Sequence, residues 1–123
     1  MTQSYQVALA KPEQFAALRE VERAAEAMFS PQDLPPSGRG AELATDDELA
    51  GALRQGLLWS ALDEGGNAVG FALALWLDGS LHLEELDVHP AHQQRGIGRK
   101  LVNAVRVQAV RCGARRLTLT TFR

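Results

Sequence analysis

The hydrophobic period of the chain changes twice after residue 80, and these changes constrain the fold more than any other feature. Residues 81–88 read as a strand that ends at His89 and Pro90. Residues 96–112 then place Leu101, Val105 and Ala109 at helical spacing, and residues 116–121 alternate as a strand does. A helix that joins two strands of one sheet is a crossover, so these strands are predicted to be parallel.

Two earlier strands extend this sheet. Residues 57–62 and 69–77 have strand character, and the glycine-containing residues 63–67 form a turn between them. Asp78 and Gly79 make a second tight turn before residues 81–88. The three strands are therefore predicted to form an antiparallel meander, which the crossover extends into a mixed sheet.

The N-terminal part supplies the remaining elements. Residues 5–9 read as a first strand and residues 12–29 as an amphipathic helix, followed by a Pro- and Gly-rich loop over residues 30–40. Thr45 and Glu48 form a capping-box pattern for a helix over residues 45–55. The predicted fold is a single α/β domain over residues 1–123, with a mixed sheet and the order β-α-α-β-β-β-α-β.

Composition excludes several classes of protein. The net charge of -2, from 13 Lys and Arg against 15 Asp and Glu, argues against a general nucleic-acid binder. The single cysteine, Cys112, forms no intrachain disulfide and fits a reducing compartment. Residues 1–10 do not resemble a secretory signal, and the apolar run 69–77 is too short to span a bilayer. We therefore expect a soluble, cytoplasmic protein with no nucleic-acid or membrane partner.

A pair of glycines opens the predicted crossover helix. Gly96 and Gly98 lack a Cβ, so a ligand is able to approach the backbone closely. The first turn of a helix leaves N–H groups unpaired and carries partial positive charge. Arg95, Arg99 and Lys100 add cationic charge. This pattern predicts an anion site suited to a pyrophosphate.

Other phosphate motifs fit this segment less well. A Walker A loop requires G-x-x-x-x-G-K-[ST], which the chain lacks. A dinucleotide fingerprint requires a third glycine in the first βα unit, and Lys100 and Leu101 follow Gly98 instead. The remaining alternative is that both glycines only shape the start of the helix.

The run Q-Q-R-G-I-G over residues 93–98 resembles the Q/R-x-x-G-x-G/A signature of the GNAT N-acetyltransferase superfamily. The preceding E-L-D-V-H-P resembles that family's fourth strand. The resemblance covers nearly the whole chain and implies a GNAT-like acyl-CoA N-acyltransferase fold. Because the chain ends after the fifth strand, we expect it to lack the family's C-terminal helix and strands.

The resemblance implies that acetyl-CoA is the co-substrate. The backbone amides of residues 94–99 would wrap its pyrophosphate, and an amide of Leu86 or Val88 would polarise the thioester carbonyl. The residues implied in acetyl-CoA binding are Leu86, Asp87, Val88, Gln93, Gln94, Arg95, Gly96, Ile97, Gly98, Arg99 and Lys100.

The implied reaction is direct attack of a primary amine on the thioester, which requires a proton acceptor. Glu84 and Glu85 are the candidates, and neighbouring strand residues face opposite sides of a sheet. Glu84 should share a face with Leu86 and Val88, which we expect to be buried against a helix. Glu85, beside Asp87, is therefore the favoured base.

Several alternatives stay open at this point. In the family, the region after the fifth strand often supplies a tyrosine that protonates the departing CoA thiolate. The only tyrosine in this sequence is Tyr5, in the predicted first strand. A catalytically weak or inert acyl-CoA-binding or interaction domain is the second hypothesis, and association through a strand edge, as in a homodimer, is the third. The acceptor, a small-molecule or protein amine, would meet residues 28–44.

No metal is expected, because no two histidines have a zinc-motif spacing, and His89 and His92 are expected to be ordinary loop residues.

Overall fold

The computed structural model of the chain describes residues 4–27 and 45–119. The strands in these ranges are Gln6–Leu9 (β1), Leu58–Leu62 (β2), Ala68–Leu77 (β3), Ser80–Val88 (β4) and Leu117–Leu119 (β5). The α-helices are Phe15–Glu26 (α1), Asp46–Arg54 (α2) and Ile97–Arg111 (α3), and short 3₁₀ turns cover Pro12–Gln14 and Pro90–His92. The loop predicted over residues 30–40 lies outside the described residues, as do the predicted ends of the first helix and of the last strand.

The described strands form one mixed sheet in the order β1-β2-β3-β4-β5. The first three pairings are antiparallel, and those of β2 with β3 and of β3 with β4 confirm the predicted meander. β4 and β5 pair in parallel, with Leu81 opposite Leu117 and Leu83 opposite Leu119. The crossover through α3 is therefore confirmed, and the observed order of elements matches the predicted mixed α/β fold.

Local sequence signals define the helix ends. The Thr45 hydroxyl accepts from the Glu48 N–H, and the Glu48 carboxylate accepts from the Thr45 N–H, so the predicted capping box forms. α1 begins at Phe15 rather than at Pro12, because the first three residues form a 3₁₀ turn that the Gln14 side chain ties to the Ser60 hydroxyl. No helix among the described residues is long and apolar enough to cross a bilayer.

Each face of the sheet carries its own hydrophobic core. α3 covers one face, where the buried side chains include Ala72, Leu81, Leu83, Ile97, Leu101 and Val105. α1 and α2 cover the other face, where the buried side chains include Leu18, Val21, Leu49, Leu58, Phe71 and Leu73. The sheet is therefore the middle layer of three, and the start of α3 lies on the side opposite α1 and α2.

The α3-face core is expected to depend strongly on Leu101, which is 0% exposed. Leu101→Ala should lower the free energy of unfolding by about 2–5 kcal/mol, because it removes buried methyl groups and leaves a cavity. Urea denaturation followed by circular dichroism measures this change. Val110→Ala is the matched control on the same helix: Val110 is 76% exposed, and its replacement should change stability by about 0.5 kcal/mol at most. Equal effects of the two substitutions would contradict this assignment of the core.

A bulge in β4 overturns one prediction about the candidate bases. Leu73 lies opposite Glu85 and Ala74 lies opposite Leu83, so Glu84 is an extra residue in the strand. Beyond the bulge the faces exchange: Val88 packs on the α3-face core, whereas Glu84 lines a cavity against α2. The prediction that Glu84 shares a face with Leu86 and Val88 is therefore wrong. The expected burial of Leu86 is also wrong, because this side chain is 39% exposed.

Candidate functional site

The segment between β4 and α3 contains two residues with left-handed backbone, and residues 94–99 are called the nest below. After the Pro90–His92 turn, Gln94 has a φ of 62° and Gly96 a φ of 82°, both in the left-handed region. Such left-handed residues within a turn direct successive N–H groups toward one point, as in the backbone nests that bind anions. Gln94 is one of two non-glycine residues with positive φ among those described, and such strain is concentrated at functional sites.

Amides at the start of α3 are free to bind a ligand. The first backbone bond at the start of α3 runs from the Lys100 N–H to the Gly96 carbonyl, at 3.1 Å. In residues 4–27 and 45–119, no protein acceptor takes a hydrogen bond from the amides of Ile97, Gly98 and Arg99 in the first turn of α3. No acidic residue lies in the first turn of α3. The helix dipole and these amides therefore favour an anion here.

The two glycines leave open space above the amides. Among the described residues, and apart from each glycine's chain neighbours and nearby helix backbone, a Cβ added at Gly96 or at Gly98 would meet no atom within 4 Å. Gly96 requires glycine for its positive φ, whereas Gly98 has no such requirement. Packing within the protein therefore does not explain Gly98, and the open space fits the predicted approach of a pyrophosphate.

Cationic side chains flank the amides. Arg95, Arg99 and Lys100 are all exposed. The Arg95 guanidinium donates to the Tyr5 hydroxyl at 3.4 Å, and the Lys100 ammonium donates to the Tyr5 carbonyl at 3.3 Å. The Gln93 side-chain amide donates to the Val88 carbonyl at 3.2 Å, which ties the loop to the end of β4.

The edge of β4 beside this loop also presents backbone groups. The His89 N–H donates to the Val69 carbonyl at 2.8 Å, so Val88–Gly70 and Leu86–Ala72 are the non-hydrogen-bonded pairs of this ladder. The N–H groups of Leu86 and Val88 therefore point away from β3. On that side, the described pairing with β5 covers residues 81–83, and the two predicted amide donors lie beyond it.

A cluster of carboxylates lies on the α1 side of β4. Carboxylate oxygens of Glu22, Glu85 and Asp87 all lie within 4.8 Å of one another. Burial raises the pKa of Asp87 to about 6; the negative charges of Glu22 and Glu26 raise it as well, and a hydrogen bond with the Glu85 side chain opposes them. Asp87 therefore keeps part of its proton near neutral pH, and its side chain faces away from the α3 side.

This protonation gives a testable dependence of stability on pH. The folded-state pKa of Asp87 lies above its unfolded value near 4, so the folded state binds more protons and loses stability as pH rises from about 4 to 7. Asp87→Asn removes this loss. Relative to the unsubstituted protein, the variant should gain roughly 1–3 kcal/mol between pH 4.5 and 7.5. Urea denaturation at both pH values, with the exposed Glu13→Gln as control, measures the gain, and a gain independent of pH would contradict it.

Glu84 lines a cavity of about 200 Å³ between α2 and the sheet. The floor is apolar and the rim is acidic; besides Glu84, the lining residues are Asp47, Glu48, Gly51, Ala52, Gln55, Leu73 and Leu75. Behind Glu84, the His82 Nε2 lies 3.8 Å from its carboxylate, and the His82 Nδ1 lies 2.6 Å from the Thr118 hydroxyl. The two candidate bases therefore have different surroundings, since Glu84 meets a cavity and Glu85 meets other carboxylates.

The predicted binding residues thus occupy two adjoining parts, the edge of β4 and the start of α3. Ile97 contributes only its backbone, because its side chain is 1% exposed within the core. No local pattern predicts that Tyr5 and His92 lie together, since 87 positions separate them in the sequence. The same holds for Glu22, which reaches β4 from α1.

Comparison with known proteins agrees with this geometry. The profile of the acetyltransferase (GNAT) family matches residues 18–123. The fold is similar to that of the PaiA N-acetyltransferase from Thermoplasma acidophilum in complex with coenzyme A, with a TM-score of 0.71 and 16% identity over 90% of this chain and 75% of that chain.

Two further structures have the same fold. A GNAT acetyltransferase from Brucella melitensis in complex with acetyl-CoA gives a TM-score of 0.72 and 20% identity, over 96% of this chain and 76% of that chain. A GNAT acetyltransferase from Staphylococcus aureus Mu50 gives a TM-score of 0.74 and 17% identity, over 96% of this chain and 74% of that chain. Since the family profile covers most of the sequence and the sheet, crossover and glycine pair agree with it, the chain belongs to the GNAT family of acetyltransferases.

Proposed function

We propose that this protein transfers the acetyl group of acetyl-CoA to a primary amine. The observation that carries the proposal is the amide surface at the start of α3, which adjoins the end of β4 beyond its described pairing with β5. Three features of it suit a diphosphate next to an extended amide chain: unpaired N–H groups, space above two glycines, and flanking cations. The complexes of relatives with coenzyme A and acetyl-CoA support this choice of ligand.

The binding residues would act mainly through their backbone. The amides of residues 94–99 would hold the diphosphate, and Arg95 and Lys100 would add charge-assisted hydrogen bonds. The N–H groups of Leu86 and Val88 would pair with amides of the pantetheine arm. One of these two donors, aimed at the thioester oxygen, would contribute about 3 kcal/mol to the rate through electrostatic stabilisation.

The reaction is balanced without any further co-reactant. Bound acetyl-CoA supplies an activated acyl carbon. A C–N bond forms between this carbon and the neutral amine, the C–S bond breaks, and, counted from the neutral amine, the nitrogen loses one proton while the sulfur gains one. An alkylammonium titrates near pH 10, so the acceptor must first give a proton to a base.

Two carboxylates are the proposed candidates for this base. Glu85 was favoured because Glu84 was expected to face α3. The bulge removes this reason, because it turns both glutamates toward the α1 and α2 side. Glu84 lines the acidic cavity, whereas Glu85 lies within the cluster that also contains Glu22 and Asp87. We therefore propose Glu84 as the base and retain Glu85 as the alternative. The acidic rim and apolar floor of the cavity suit an ammonium group on a short aliphatic body.

Two measurements test the proposed function. Isothermal titration calorimetry with CoA and acetyl-CoA should give saturable binding, and thiol release from acetyl-CoA should accelerate with at least one member of a panel of primary amines. Failure to bind either ligand would refute the proposal. Binding without thiol release for any amine, including polyamines and peptide amines, would support the acyl-CoA-binding alternative instead.

A further inference from the structure

We propose that Tyr5 is a positioning residue that braces the loop before α3, and through this loop sets the preference for acyl carriers that bear a diphosphate. The inference rests on the proposed acyl-CoA site. It adds a residue from the opposite end of the chain, outside the glycine signature.

Tyr5 contacts the loop at three positions. Its hydroxyl lies 2.9 Å from His92 Nδ1 and accepts from Arg95 Nη1 at 3.4 Å. Its backbone carbonyl accepts from the Lys100 ammonium at 3.3 Å. His92 precedes the left-handed residues Gln94 and Gly96, Arg95 lies between them, and Lys100 follows them. Tyr5 therefore holds this segment at both ends.

The Tyr5 hydroxyl joins two side chains of this segment. An arginine side chain only donates hydrogen bonds, so Arg95 occupies a lone pair of the tyrosine oxygen. The contact of the hydroxyl with His92 Nδ1 suits both neutral tautomers of the ring: Nδ1 accepts the O–H when the ring proton is on Nε2, and it donates to the second lone pair of the oxygen when the proton is on Nδ1. The rings of Tyr5 and His92 also meet edge to face, with centroids 5.7 Å apart. The guanidinium of Arg95 is therefore linked through Tyr5 to the turn that precedes it.

The anchor itself is rigid. Tyr5 is 6% exposed and its ring belongs to the α3-face core, together with Trp59, Val69 and Leu101. Strained backbone persists only where its surroundings hold it, and a preformed site binds more tightly because less order is lost on binding. Loss of the Tyr5 hydroxyl should therefore weaken ligands that use the nest, while the ring keeps its place in the core.

Tyr5→Phe tests this inference, because it removes one oxygen and retains the ring. We expect the Kd for CoA, from isothermal titration calorimetry, to rise about 3- to 30-fold, as the loss of one or two hydrogen bonds allows. The second ligand is S-acetyl-N-acetylcysteamine, a thioester without any phosphate. Its kcat/KM should stay within about twofold of the unsubstituted value, because it makes no use of the nest.

His92 provides an independent test with a conservative rescue. His92→Ala should raise the Kd for CoA as Tyr5→Phe does, and the double variant should be no weaker than the worse single variant. Asparagine keeps a hydrogen-bond acceptor close to the position of Nδ1, so His92→Asn should recover most of the affinity. Circular dichroism and thermal melts confirm that each variant is folded.

The outcomes separate this inference from the proposed function. Binding of CoA by the unsubstituted protein with an unchanged Kd for Tyr5→Phe would overturn the brace alone. Equal losses for CoA and for the phosphate-free thioester would also overturn it, because they would indicate a general structural role. Absence of CoA binding by the unsubstituted protein would overturn the proposed function, and the brace with it.

Discussion

Glu84→Gln is expected to lower kcat for acetyl transfer by about 100- to 10,000-fold, the range that a positioned general base contributes. Glutamine has nearly the same volume as glutamate but does not take up the ammonium proton. The Kd for CoA should stay within about twofold, because Glu84 faces the α2 side and the amide nest lies at the start of α3. Steady-state kinetics on the amine identified by the panel, together with calorimetry, measure both quantities.

Glu85→Gln is the matched comparison, since it makes the same chemical change at the neighbouring residue. Glu85 does not line the cavity and lies in the carboxylate cluster, so we expect a smaller loss of kcat. A larger loss for Glu85→Gln than for Glu84→Gln would return the role of base to Glu85. Unchanged kinetics for both variants would show that neither residue takes the proton.

Gly98→Ala is expected to separate the stability of the protein from its affinity for CoA. Within residues 4–27 and 45–119, the added methyl group meets no atom within 4 Å apart from the adjacent backbone, and alanine stabilises a compatible helical position by about 0.4–1 kcal/mol. The same methyl group would occupy the space above the amide nest. Loss of one charge-assisted hydrogen bond to the diphosphate corresponds to about 1.5–3 kcal/mol, and so to a Kd for CoA that rises roughly 10- to 150-fold.

Gly51→Ala is the control for this substitution. Gly51 lies within α2, where a Cβ would make only an ordinary contact, at 3.8 Å from the Arg54 guanidinium. The control should raise the melting temperature in the same way and leave the Kd for CoA unchanged. A Gly98→Ala variant that binds CoA as tightly as the unsubstituted protein would remove the main support for the nest as the diphosphate site.

Much of the fold follows from local patterns. The capping box at Thr45, the glycine turn after Asp78 and the helical spacing of Leu101, Val105 and Ala109 each define an element on their own, and the crossover defines the parallel pair. The anion site at the start of α3 was also predictable from a local pattern. Its predicted ligands are backbone N–H groups, and the two glycines that leave them accessible lie in the same short segment. The start of α1 was placed one turn early, since a proline at the first helical position fits a 3₁₀ turn equally well.

The bulge in β4 is visible in the sequence, but an interpretation that assumes strict alternation overlooks it. The apolar residues occupy odd positions at Leu81 and Leu83 and even positions at Leu86 and Val88. The apolar positions therefore shift from odd to even across Glu84 and Glu85, which indicates one extra residue in the strand. Strict alternation ignores this shift and places Glu84 on the same face as Leu86 and Val88, which is wrong. The contacts of Tyr5 have no comparable signal, because they depend on how β1 and α3 pack.

The three-layer arrangement has a consequence for the order of events under the proposed function. The nest opens at the head of α3, whereas the acidic cavity opens between α2 and the opposite face of the sheet. Donor and acceptor would then reach β4 by separate routes, and neither would have to depart before the other arrives. Both substrates would occupy the protein together, so the acetyl group would pass directly between them without resting on a side chain.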